Sequence, residues 1–440
     1  TKDIETDKLY RNDGGKFTNV TDEAGLRSFG LSLSVTVSDL NQDGWPDIYV
    51  SNDFSTPDYL YINNGDGTFK EQVKEATDQI SFYGMGVDIA DYNNDGLLDI
   101  FQVDMDAPNN RRAKANMASM NPQLFWGTVN SGFHYQYMHN CLQLNTGNII
   151  NNTPTFSNVS RLSGASSTDW SWGPLFADLD NDGWKDLFIT NGIRREVNNR
   201  DYFKMLESVK NLNDSLLERT LQIPSEKIDN YVFRNKGDLT FEKMNQKWGI
   251  SFKGFSNGAV YVDLDNDGDL EIVVNNIDDY ASIFENKSSE INNFIILKLN
   301  GTHMNRFGLG AKVEIKSEGI TQIQELTLTR GYQSSVAPEL HFGLGKSELI
   351  NQLTITWPDG NVQILNNIVA NQILQLKHEE SIPVKMIVKD QKRLFVNVTE
   401  QLGLKHKHSE NLYDDFIKEV LLPHRTSTFG DRKTSCRERV

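Results

Sequence analysis

Cysteine is nearly absent: Cys141 and Cys436 are the only two in 440 residues, so no disulfide framework braces this chain. No apolar run reaches the roughly 18 residues that a membrane span requires. Positive charge is also in deficit, with 44 Lys and Arg against 60 Asp and Glu, a net charge of −16. That balance excludes nucleic acid or an anionic membrane as the main partner. The aromatics are not interleaved with a basic stripe, so an RNA-binding surface has no support. Catalytic signatures are missing too: no G-x-S-x-G elbow, no H-E-x-x-H and no phosphate-cradling glycine loop. A glycosidase would need a catalytic carboxylate pair, and the abundant carboxylates here belong to a repeated pattern. His134 and His139 with Arg111 and Arg112 form the one loosely catalytic grouping. The expectation is that the chain is not an enzyme and has no catalytic residues.

What the chain does have is a nine-residue acidic loop, D-x-[DN]-x-D-G-x-x-[DE], written four times. The copies begin at Asp39, Asp91, Asp178 and Asp263. Positions 1, 3, 5 and 9 carry oxygen donors: Asp39, Asn41, Asp43 and Asp47; then Asp91, Asn93, Asp95 and Asp99. The third set is Asp178, Asp180, Asp182 and Asp186, and the fourth is Asp263, Asp265, Asp267 and Glu271. A tight turn at the sixth-position glycine brings such donors together. An all-oxygen set suits Ca²⁺, which accepts 6–8 flexible ligands. The EF-hand alternative fails, because position 12 holds Val50, Gln102, Ile189 and Val274 instead of the bidentate Glu. Short apolar, β-branched runs flank every loop, which predicts strand, loop, strand. The ion is expected to be structural, replacing core that a small strand pair cannot supply.

A second element alternates with the first. Leu9-Tyr-Arg-Asn12 to Phe17 recurs as Leu60–Phe69, Leu142–Phe156 and Val232–Phe241, with a half-copy at Ile283–Asn286. Each reads as a hairpin with an Asn/Gly turn. One loop plus one hairpin recurs about every fifty residues, the length of a four-stranded propeller blade. About five units are visible. Two are longer, with inserts near 104–139 and 191–229, the second holding a helix-like run from Asp201 to Leu221. Insertions on a repeat scaffold gather on one face and often bind ligands. Arg111, Arg112, Trp126, Tyr135, Tyr137, Trp170 and Trp172 are therefore candidate ligand contacts; the competing reading is that the aromatics only pack the insert onto the scaffold.

From Ile291 the acidic loops stop and alternating strands begin. This segment carries Arg330-Gly-Tyr-Gln-Ser-Ser335, His341-Phe-Gly-Leu-Gly345 and Trp357-Pro-Asp-Gly360. It reads as a small sandwich in which Arg330 anchors a turn and His341 is a hydrogen-bonded structural residue. The expected organisation is an all-β chain: a partial integrin-like β-propeller over 1–290, then a β-sandwich over 291–378. A linker and the start of a further repeat module follow over 379–430, where Phe395–Leu404 echoes Phe17–Leu26. Residues 431–440 read as a non-native tail. The chain opens in mid-pattern, so missing blades and a lost signal peptide are expected at its start.

The four loops with their flanking strands resemble FG-GAP or VCBS-type repeats, and the RGYQSS, HFGLG and WPDG stretches resemble an ASPIC/UnbV domain. That pairing is similar to the cartilage acidic protein and UnbV-type family, especially the long surface proteins of Bacteroidetes. Asn110-Arg-Arg112 and Thr168-Asp-Trp-Ser-Trp172 fit that bacterial branch. The resemblance implies a seven-bladed propeller, of which about five units are seen here. The expected function is an extracellular or cell-surface calcium-binding module for adhesion, with a surface glycan or an extracellular protein as partner. The alternatives are a polysaccharide-acting enzyme and an inert spacer of a larger surface protein.

Overall fold

A computed structural model describes residues 6–54, 56–116, 122–207 and 216–383, with a few isolated residues beyond. Most of the expected second repeat module, and the whole of the 431–440 tail, lie outside these described residues.

Antiparallel sheets built in sequence order account for the first two thirds of the chain. Blade 1 comprises Leu31–Ser38, Asp47–Asp53, Tyr59–Asn63 and Phe69–Glu71. Blade 2 comprises Val87–Ala90, Asp99–Gln102, Cys141–Ile150 and Thr153–Asn158. Blade 3 runs through Asp169–Ala177, Asp186–Asn191, Tyr231–Asn235 and Phe241–Lys243, with Met105–Asp106 added beside its inner strand. Blade 4 has three strands, Ser256–Val262, Glu271–Asn276 and Ser282–Phe284. The hairpin of Tyr10–Asn12 and Phe17–Asn19 precedes them as half a unit. This is the propeller-like, all-β arrangement that the repeat spacing predicts, in five units. The second strands read as continuous apolar runs because neighbouring blades cover both their faces; all of Asp186–Asn191 is buried.

Strand order fixes what lies on each face. The acidic loops join first to second strands, and the Asn/Gly hairpins join third to fourth at the same end. Both inserts leave from the opposite end of a second strand. The first holds helices Asn110–Asn116 and Pro122–Asn130; the second holds Arg200–Glu207 and Leu216–Leu221, both within the expected helical run, of which 208–215 lie outside the described residues.

The sandwich follows. Asn293–Asn300 pairs with Glu339–Gly345 and, in parallel, with Gln372–Lys377. The facing sheet orders Ile320–Glu325, Lys312–Ser317, Leu349–Thr356, Asn361–Val369 and Ile382–Pro383, extending the domain past residue 378. Ile295, Leu297, Val313, Phe342, Leu353 and Trp357 fill the space between.

One hairpin leaves this sandwich. Thr329–Arg330 and Ser334–Ser335 lie against the innermost strands of all four blades. Arg330 Nη1 donates to Asp88 Oδ1 and to the Ile89 carbonyl, both at 2.8 Å. The Gly331 carbonyl accepts from Ser34 Oγ at 2.8 Å and from the Val87 N–H at 3.3 Å. The Tyr332 ring sits 5.0 Å from that of Trp172. Arg330 thus anchors more than its own turn: it pins one domain into the axis of the other through a buried ion pair.

Candidate metal-binding loops

Each loop closes on its own first carboxylate. Asp39 accepts from the N–H groups of Asp43 and Gly44 at 3.0 and 2.8 Å; Asp91 from Asp95 and Gly96 at 3.1 and 2.9 Å. Asp178 holds Asp182 and Gly183 at 3.0 and 2.8 Å, and Asp263 holds Gly268 at 3.2 Å. The sixth-position glycines take φ from 89° to 97°, the left-handed region that a side chain would oppose. The fifth carboxylate then caps the seventh N–H: Asp43 to Trp45, Asp95 to Leu97, Asp182 to Trp184 and Asp267 to Asp269.

The ninth-position carboxylate bridges two backbones. Asp47 accepts from Leu40 and Asn63, Asp99 from Tyr92 and Asn145, Asp186 from Leu179 and Asn235, and Glu271 from Leu264 and Asn286. Those asparagines are the invariant Asn of the hairpin repeat, whose role the repeat pattern alone did not disclose. The signal was there: the Asn recurs even where its neighbours change.

The third position separates the loops. Asn41 and Asn93 donate their own amide to the fifth carboxylate, at 2.9 and 2.8 Å. In the third loop Asp180, Asp178 and Asp186 bring oxygen atoms within 4.8 Å of one another, while Arg234 forks onto Asp180 and Asp182 at 2.6 Å each. In the fourth, Asp263, Asp265 and Asp267 gather within the same distance. Glu271 turns instead to its two N–H donors. The first two loops carry Asn at the third position and form no such three-carboxylate group among the described residues.

Burial pushes Asp47, Asp91 and Asp178 up to about 7 and Asp182 to about 6, with neighbouring carboxylates adding to the shift. Asp99 and Asp186 rise well above the ordinary carboxylate range for the same reasons. Asp180 Oδ1 and Asp263 Oδ1 are buried with no hydrogen-bond donor among the described residues. An all-oxygen donor set with orphaned, crowded carboxylate oxygens fits a hard divalent cation.

The sandwich rests on these loops. The Gly343 N–H donates to Asp178 Oδ2 at 3.1 Å, and a Cβ there would lie 2.2 Å from the same oxygen. Gly345 N–H reaches the Asn181 carbonyl at 2.8 Å. Lys312 pairs with Asp39, whose N–H donates to Glu325 Oε2 at 3.1 Å. His341 Nε2 donates to the Gly268 carbonyl at 3.1 Å, and burial lowers its pKa to about 4. The His-Phe-Gly-Leu-Gly stretch is thus shaped by the acidic loops it covers.

Comparison with known proteins follows the same division. Residues 2–50 and 39–101 match the family described as FG-GAP-like repeat, and residues 301–383 match ASPIC and UnbV. The chain carries FG-GAP-like repeats and an ASPIC and UnbV domain. The third and fourth loops repeat the FG-GAP-like pattern beyond the matched residues. Cartilage acidic protein 1 of Homo sapiens is 25% identical over 361 residues, covering 81% of this chain and 45% of that protein. The Mus musculus protein of the same name is 24% identical over 350 residues, covering 78% and 44%. The chain therefore spans about half the length of the curated relatives it matches. Among solved structures, the Vibrio cholerae biofilm matrix protein Bap1 aligns over 84% of this chain and 55% of its own, at 11% identity and a TM-score of 0.30.

On the far face of the FG-GAP-like repeats, the expected ligand contacts separate. Arg112, Tyr137 and Trp170 are buried rather than presented. Arg112 is an internal cation, 2.6 Å from Asp169, 2.7 Å from Glu196 and 2.9 Å from Glu226, and so ties the two inserts together. Tyr137 packs with Phe125, and half-buried Trp126 and Tyr135 close that cluster. Trp172 is half-buried, donating to the Gly192 carbonyl at 2.7 Å. Arg111 is exposed and pairs with Glu226. The His–Arg grouping does not converge: His134 bonds Thr77 Oγ1 at 3.1 Å, and His139 donates to the Asn140 carbonyl at 2.8 Å.

Proposed function

We propose that this chain is an extracellular, calcium-binding adhesion module and not an enzyme. The observation that carries the metal reading is the pair of buried, donor-less oxygens, Asp180 Oδ1 and Asp263 Oδ1, each inside a cluster of three carboxylates. Asp178, Asp180 and Asp186 would hold one ion, and Asp263, Asp265 and Asp267 another. The ion would supply the positive charge that the cluster of the fourth loop lacks and that Arg234 brings only to the Oδ2 atoms of Asp180 and Asp182 in the third loop. Asn41 and Asn93 would have to turn their amide oxygens inward for the first two loops to bind.

The repeats, the ASPIC and UnbV domain and the acidic balance support a place outside the cell, where calcium is abundant. Among the described residues, no helix is long and apolar enough to cross a membrane. With the sandwich resting on part of the acidic-loop face, the insert face is the surface proposed to meet a glycan or an extracellular protein. Arg111, Trp126, Tyr135 and Trp172 are the expected contacts that retain exposure there.

A thermal melt with calcium and then with chelator tests the metal. An ion that binds only the folded state at a hundredfold its Kd adds about 2.7 kcal/mol. The rise should shrink when Asp180 and Asp263 are both changed to Ala. An unchanged midpoint in both buffers would overturn the reading. Binding of immobilised glycans and surface proteins to the parent and to Arg111→Ala then tests the adhesive face.

A further inference from the structure

We propose that the acidic loops load metal as one coupled row, not as four independent sites. This rests on the calcium reading and adds to it. Two hydrogen-bonded paths join each loop to the next.

The first path uses the fourth loop position. Gln42 Nε2 donates to the Gly96 carbonyl at 2.7 Å, Asn94 Nδ2 to Gly183 at 2.9 Å and Asn181 Nδ2 to Gly268 at 3.2 Å. In every case the acceptor is the sixth-position glycine of the following loop. The donors have φ of 60°, 54° and 55°, a left-handed backbone that Asn tolerates better than most residues. The repeated conformation aims a side chain from one loop at the hinge of the next.

The second path runs through the hairpin asparagines. The Asn145 N–H is held by Asp99, while its amide donates to Leu40, the second residue of the previous loop, at 3.1 Å. Asn235 joins Asp186 to Tyr92 in the same way, and Asn286 joins Glu271 to Leu179, with amide distances of 2.7 Å each. One asparagine therefore fastens the last donor of a loop to the backbone of its predecessor.

An ion that orders one loop fixes the glycine carbonyl and the asparagine on which its neighbour leans. The neighbour then has less ordering left to do when it binds its own ion, which is positive cooperativity without any large movement. The coupling should follow the order of the loops and weaken at a junction that loses its amide.

The test is a calcium titration of the full chain, followed by calorimetry for stoichiometry and by tryptophan fluorescence, since Trp45 and Trp184 occupy the seventh position of two loops. The parent should bind with a Hill coefficient of about 2. Asn94→Gly and Asn181→Gly keep the positive φ without strain and remove only the amide. Both should keep the stoichiometry while the coefficient falls toward unity and half-saturation rises about fivefold, the low end of ordinary site coupling. Gln42→Gly, on an exposed donor, serves if either variant folds poorly. Asn266→Gly should leave the curve unchanged, because Asn266 has the same φ of 62° but no following loop among the described residues. A hyperbolic parent curve, or variants that keep the parent's coefficient, would overturn the coupling while leaving calcium binding intact. Absence of binding in every protein would instead overturn the calcium reading itself, and the coupling with it.

Discussion

The third and fourth loops share one sequence pattern and solve its electrostatic problem in opposite ways. In the third, Asp178 and Asp186 are fully buried, the Gly343 N–H caps the first carboxylate, and Arg234 brings a guanidinium to Asp180 and Asp182. In the fourth, Asp265 and Asp267 are exposed, the blade has three strands, and no cationic side chain pairs with its first three acids among the described residues. The protein provides positive charge to one loop from within and leaves the other to the solution. A motif specifies where donors converge; the surrounding fold decides how much they need an added ion.

The largest effect that would sharpen this contrast is on stability without metal. Asp178→Ala strands the N–H groups of Gly183 and Gly343 and should cost about 3–4 kcal/mol in chelated buffer. Asp263→Ala should cost below about 1 kcal/mol there, and urea unfolding of both variants would measure the difference. Equal losses would break the comparison.

Acid should loosen the sandwich's grip on the fourth loop. His341 is buried and its pKa is lowered to about 4, whereas in the unfolded chain it is near 6.5. The unfolded state thus binds the extra proton first. The stabilisation is complete above pH 6.5 and is lost as pH falls toward 4, by up to about 3 kcal/mol. His341→Gln should flatten that slope in melts across the interval; an unchanged slope would assign it to other groups.

The smallest effect concerns Arg234, whose side chain is 39% exposed, so screening limits its value to about 1 kcal/mol or less. Arg234→Met should lower the midpoint slightly in chelator, yet tighten calcium binding at the third loop by removing a competing cation. A titration showing weaker binding would mean that the guanidinium orients the ligands instead.

The repeats, the two inserts and the sandwich were legible in the sequence because each is written in local spacing: a glycine at position six, a turn between strands, a change of pattern near Ile291. What escaped depended on partners that only the closed arrangement brings together. Arg112 reads like a surface cation until Asp169, Glu196 and Glu226 surround it. Arg330 reads like a turn residue until Asp88 appears 242 positions away. The hairpin asparagines read as turn formers, and the amides of Asn145, Asn235 and Asn286 reach into the preceding blade.

The axial hairpin has a consequence for the order in which the chain acquires its form. Ser34 meets Gly331 across 297 positions, and the strands they join belong to the first blade and the second domain. Contacts so distant along the chain form late. During synthesis the blades emerge with their innermost strands facing an empty axis, and the hairpin that fills it, residues 329–335, is made only after all four. Seating that hairpin links the two domains, so they should melt in a single transition.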